Sequence, residues 1–154
     1  LDGPTTGRLG PELAAELWLF VMSHIDLLGA VPAGPCLTQG DFKPANLIMR
    51  RQQGVWRMAA VLDWEFAFAF TGLFDLGQLF RYDQTLPPTF ATAMTSAYTA
   101  HGGSLPDQWQ AMIKILDLMN LCDFLSAPDT RPVVINQSRL LIRATLDRWP
   151  DYTL

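Results

Sequence analysis

Histidine and cysteine are scarce in this chain, with two of each in 154 residues. Cys36 and Cys122 lie in apolar surroundings and form no CxxC pair, so neither a disulfide framework nor a thiolate metal site is indicated. They read as buried reduced thiols of a cytosolic protein, which makes the cytoplasm the expected location. His24 and His101 fall in helical contexts away from the acidic motifs, against an imidazole nucleophile or ligand. Positive charge is also limited: 11 Lys and Arg stand against 15 Asp and Glu, a formal net charge of -4. Nucleic acid and anionic membrane both attract basic surfaces, so neither is expected as the main partner. No apolar run reaches membrane-spanning length, and no charged-then-apolar leader opens the chain. There is no internal repeat and no low-complexity segment. A glycine-rich phosphate loop is missing too: the stretch from Gly29 to Gly34 is interrupted by Pro32 and leads into no strand-to-helix turn.

What the chain does have is a hydrophobic content of 49%, ample for the core of a single domain over residues 1–154. Residues 1–10, rich in Gly, Pro and Thr, read as a linker or loop. From Pro11 to about Leu28 apolar residues recur at three and four, predicting an amphipathic helix with Pro11 in its first turn and Gly29 past its end. Cys36 to Thr38 is expected to be a short strand. Leu47–Met49 and Val55–Leu62 form a hairpin across Arg-Arg-Gln-Gln-Gly. Phe74 to Arg81 is expected to be helical, followed by helices near Pro88–His101, Pro106–Phe124 and Val134–Trp149. The third of these four is apolar nearly all round and is expected to be central. The fold class is α+β, mainly α: helices plus short β-hairpins.

Three polar residues are hard to explain by folding alone. Asp41 and Asn46 stand five apart in a loop-like run, and Asp63 ends an apolar strand where an ionised carboxylate is costly to bury unpaired. A carboxylate can take the proton of an attacking hydroxyl, which suits Asp41 to general-base work. An amide oxygen and a second carboxylate are hard ligands for Mg²⁺, which suits Asn46 and Asp63. The order is that of a metal–nucleotide phosphotransfer site. Each residue also has a structural reading, as a turn-capping Asp or Asn or a paired acid.

Gly40-Asp41-Phe42-Lys43-Pro44-Ala45-Asn46-Leu47, then Val61-Leu62-Asp63-Trp64-Glu65 and Phe74-Asp75-Leu76-Gly77, resemble the HGDxxxxN…DWE…DLG series of the aminoglycoside phosphotransferase family, a kinase-like group that includes choline kinases. The resemblance runs from about Leu9 to the C-terminal helix and implies the C-terminal lobe of a protein kinase-like fold. It implies transfer of the γ-phosphoryl group of ATP or GTP to a hydroxyl of a small molecule, such as an aminoglycoside, an amino alcohol or a sugar. Asp41 would be the base, with Mg²⁺ held by Asn46 and Asp63. Asp75 resembles the aspartate that supports the catalytic loop through backbone hydrogen bonds, with helix N-capping as the competing account. Glu65 could add a metal or water contact, sharing a face with Asp63 if the segment is extended. Lys43 lies where some kinases place a lysine near the transferred phosphate, although an exposed lysine is the default.

The chain departs from the pattern in two places. Gln39 replaces the family histidine of HGD, and a carboxamide that both donates and accepts can keep part of its loop support. The family's N-terminal nucleotide lobe has no counterpart, and the chain opens on Leu1 rather than Met. Both features lead to the expectation of a fragment, weak or inactive alone, that self-associates through an apolar face where the missing lobe would dock. The alternatives are a catalytically impaired, pseudokinase-like binding module and, less favoured, a metal-dependent phosphoesterase.

Overall fold

In the computed structural model, which describes residues 3–32 and 34–153, the chain forms two compact units. One is built from residues up to Val31 together with those from Pro106 onward, and the other is Pro32–Leu105.

The first unit is helical and is organised on α6 (Trp109–Ser126), whose buried residues occur on every side from Ala111 to Leu125. Helix α7 (Pro132–Asp147) packs against α6 and against α2 (Pro11–Ser23). The core joins Leu9, Ala14 and Leu17 to Leu118, Leu121, Leu125 and Ile142. Residues expected to be a loop near the start form helix α1 (Pro4–Leu9) instead. Tertiary contact overrides the weak local propensity there. Leu9 is buried, and the Arg8 guanidinium donates to the carbonyl of Leu125 in the last turn of α6 at 2.7 Å and to that of Pro128 just past it at 2.9 Å. A last-turn carbonyl such as that of Leu125 has no partner within the helix, and a cation is a favourable cap for it.

The single helix expected from Pro11 to Leu28 is two: α2 ends at Ser23, and α3 spans Ile25–Gly29. Ser23 Oγ donates to the Phe20 carbonyl at 2.8 Å, and His24 Nδ1 lies 2.8 Å from the same oxygen. Side chains that claim a helix carbonyl compete with its continuation. The His24 ring also packs on Phe20 and Trp149, with centroids 4.5 and 4.7 Å away, so it serves packing. Cys122 is largely buried, and desolvation pushes its thiol up to about 11, so it stays protonated at neutral pH. Cys36, expected to be buried, is exposed at the start of a short strand.

The second unit carries two small antiparallel sheets. Strand β1 (Cys36–Thr38) pairs with β4 (Phe68–Phe70), and β2 (Leu47–Gln52) pairs with β3 (Val55–Val61). The second pair turns at Gln53-Gly54, both with positive φ of 49° and 82°, the backbone twist that a two-residue hairpin requires. Helix α4 (Gly72–Leu79) is N-capped by Thr71, whose hydroxyl accepts from the Leu73 N–H at 3.3 Å, and it packs on β1. Helix α5 (Phe90–Ala100) follows. Among the described residues no helix is long and apolar enough to cross a membrane.

Candidate active site

Between β1 and a 3₁₀ turn at Pro44–Asn46 the backbone from Gln39 to Lys43 has no strand beside it. Its peptide groups therefore need partners from side chains. Asp75 on α4 accepts from the Gln39 N–H through Oδ2 at 2.8 Å and from the Gly40 N–H through Oδ1 at 3.0 Å. One turn later Gln78 donates from Nε2 to the Gly40 carbonyl at 2.7 Å, while its Oε1 accepts from the Phe42 N–H. Gln39 Oε1 accepts from the Asp41 N–H at 2.8 Å, and Asn46 Nδ2 donates to the Asp41 carbonyl at 3.0 Å. Gly40 has φ +85°, and a Cβ there would lie 2.5 Å from the Phe66 carbonyl oxygen, so no other residue fits this turn without moving backbone.

This scaffold presents Asp41 beside Asn46. Asp41 Oδ2 receives Asn46 Nδ2 at 3.0 Å and Lys43 Nζ at 2.6 Å. Two donors on one oxygen hold the carboxylate in one rotation and leave Oδ1 outside both bonds. Lys43 is half exposed and pairs with Asp41 itself. Asn46 is 4% exposed and uses its amide nitrogen on Asp41, which leaves Oδ1 as the atom able to ligate a cation.

The backbone that carries Asp63 is bonded to this loop. The Leu62 N–H donates to the Asn46 carbonyl at 2.8 Å, so the end of β3 is tied to the 3₁₀ turn at Pro44–Asn46. Gln39, 2% exposed, spans the gap from the other side: its Nε2 donates to the carbonyls of Leu62 and Asp63 at 2.9 and 2.7 Å. Asp63 itself has φ 55° and ψ 57°, the left-handed region that an aspartate tolerates better than most residues. Trp64 Nε1, donating to the Val61 carbonyl at 2.7 Å, braces this bend. The Asp63 side chain is exposed.

Glu65 is also exposed, within a 3₁₀ turn at Trp64–Phe66. The extended geometry that would have put it on the face of Asp63 is therefore absent. Asp75 lies inside α4 and Thr71 is the N-cap, so the capping account fails and the contact is with the loop backbone. Burial holds the Asp75 carboxyl above its ordinary range, and the two backbone N–H bonds offset this only in part.

Asn46 Oδ1 and the Asp63 carboxylate are both oxygen donors, the kind of ligand Mg²⁺ would take if phosphate and water oxygens completed its shell. Among the described residues no three or more His, Cys, Asp or Glu gather into a metal site, and a two-ligand arrangement does not require them. The model of the phosphotransferase enzyme family (APH) matches residues 4–112. The chain belongs to this family. No curated protein and no solved structure gives a match. As a member of the phosphotransferase family the chain is expected to have the kinase-like α+β fold, and its helices with small antiparallel sheets are consistent with it.

Sequence reasoning missed Gln78 and the pairing of β4 with β1. A signal for each was present. Gln78 follows Asp75 by three residues, which puts both on one face of a helix. The alternation Phe66, Phe68, Phe70 has the period of a strand.

Proposed function

We propose that this phosphotransferase is a small-molecule kinase that moves the γ-phosphoryl group of ATP or GTP to a hydroxyl group. Asp41 is its base, and Asn46 and Asp63 are its Mg²⁺ ligands. The observation that carries the reading is the direct bond from Asn46 Nδ2 to Asp41 Oδ2, within a loop whose peptide groups are held by Gln39, Asp75 and Gln78. An acid held in one rotation, with a free oxygen at a partly exposed surface, can orient an incoming hydroxyl and accept its proton as the oxygen attacks phosphorus. Bound Mg²⁺ supplies neutralisation of the charge on the β- and γ-phosphate oxygens. The chain's own contribution is to keep Asp41 aligned and the two ligands close by. Gln39 performs the joining role at the place where the resembled motif has histidine.

The test is transfer of label from γ-labelled ATP or GTP to a panel of amino alcohols, sugars and aminoglycosides with Mg²⁺ present. Asp41→Ala should lower turnover by about 10²–10⁴-fold while nucleotide binding persists. Full turnover by that variant removes Asp41 from the role. Mg²⁺-dependent nucleotide binding with no product from the parent protein would instead support a binding module.

The same reading includes self-association of this chain through the second unit. Leu37, Trp56, Phe66 and Phe68 there expose 71%, 65%, 60% and 41% of their surface. Large aromatic side chains left in water favour a covering partner.

A further inference from the structure

We propose that Gln78 is a positioning residue of the phosphotransfer site, acting as a carboxamide clamp that sets the backbone on both sides of Asp41. The inference rests on the reading of Asp41 as the base. Gln78 is 5% exposed, a burial that is costly for a carboxamide unless both of its ends are bonded. They are bonded to the residues flanking Asp41: Nε2 donates to the Gly40 carbonyl at 2.7 Å, and Oε1 accepts from the Phe42 N–H. Asp75 takes the two N–H groups just before, and Gln39 takes the Asp41 N–H. Three side chains thus replace the strand that this loop lacks, and two of them come from α4.

The chemistry requires both ends of Gln78. Its donor fixes the carbonyl of the left-handed Gly40, and its acceptor fixes the peptide after Asp41. Together they set the direction in which the Asp41 side chain leaves the backbone. A glutamate at this place keeps the acceptor when ionised and regains a donor only when protonated, and the Asp75 carboxyl one turn earlier would favour the protonated form. Methionine keeps the volume and removes both bonds.

The experiment compares the parent with Gln78→Met and Gln78→Glu by steady-state kinetics and by amide hydrogen exchange. Gln78→Met should lose about 100-fold in kcat with KM for nucleotide and acceptor changed by less than about threefold, the signature of a misaimed base. The Phe42 amide should exchange at least about tenfold faster while amides within α6 keep their rates. Gln78→Glu should regain kcat relative to the parent as pH falls, which loss of packing alone would not produce. Unchanged kcat in folded Gln78→Met, or unchanged exchange at Phe42, overturns the proposal. If Gln78→Met does not fold, the Gln78→Glu pH profile decides: a ratio to the parent that stays flat with pH overturns it. If the parent transfers no phosphoryl group to any acceptor, the kinase reading fails, and the exchange rates alone judge the clamp.

Discussion

A carboxylate that receives two peptide N–H groups while losing most of its water is pulled both ways, and at Asp75 burial wins. The folded chain then binds a proton at higher pH than the unfolded chain, since its carboxyl is raised. The contribution of this group to stability is therefore complete below about pH 4, the ordinary range, and fades as pH rises through the raised value. Asp75→Asn should cost about 1–3 kcal/mol, because an amide has one acceptor for two N–H donors. The difference between parent and variant should shrink from acid to neutral pH in chemical denaturation. A difference that grows with pH would mean that the charged form is the favoured one. At this scale the motif residues were legible because their spacing is local: Asp41, Lys43 and Asn46 lie within six residues of chain and do meet. Gln78 was not legible as a loop contact, because the bond to Gly40 joins positions 38 apart.

Among the elements, α6 and α4 do different work. Helix α6 is buried almost all round, which its run of apolar residues announced. Leu121 is 2% exposed in the core, whereas Met119, two positions earlier, is 46% exposed. Leu121→Ala should lower stability by about 2–5 kcal/mol. Met119→Ala should stay within about 0.5 kcal/mol of the parent. Equal losses in thermal or denaturant unfolding would contradict the orientation of the helix. Helix α4 presents Leu73, Leu76 and Leu79 to the interior and turns Asp75 and Gln78 toward the loop. Its amphipathic pattern is readable from sequence, but which polar residues point at the loop from Gln39 to Lys43 depends on what the helix packs against. Helix α1 shows the converse, because its local sequence reads as loop while the partners of Arg8 and Leu9 make it a helix.

For the whole molecule, the second unit leaves several large aromatic and aliphatic side chains in water. It includes Trp56 and Met58 on β3 and Met49 on β2, which directly faces Met58 in the hairpin register. The self-association proposed above should appear as concentration-dependent sedimentation, and Trp56→Ser with Phe66→Ser should weaken it. A clean monomer at high concentration would count against it. The net charge of -4 is no barrier at physiological salt, where charges beyond about 8 Å are screened.

The order Asp41, Asn46, Asp63, the family and the helical character follow from the sequence alone, because each rests on neighbours in the chain or on a repeating apolar period. Folding alone decided that Gln39 would bridge to Leu62 and Asp63, that Asp75 would bond the loop and leave the cap to Thr71, and that Gln78 would close around Asp41. Those bonds join segments distant along the chain, and a peptide group without a strand beside it takes whichever buried donor or acceptor the packing delivers.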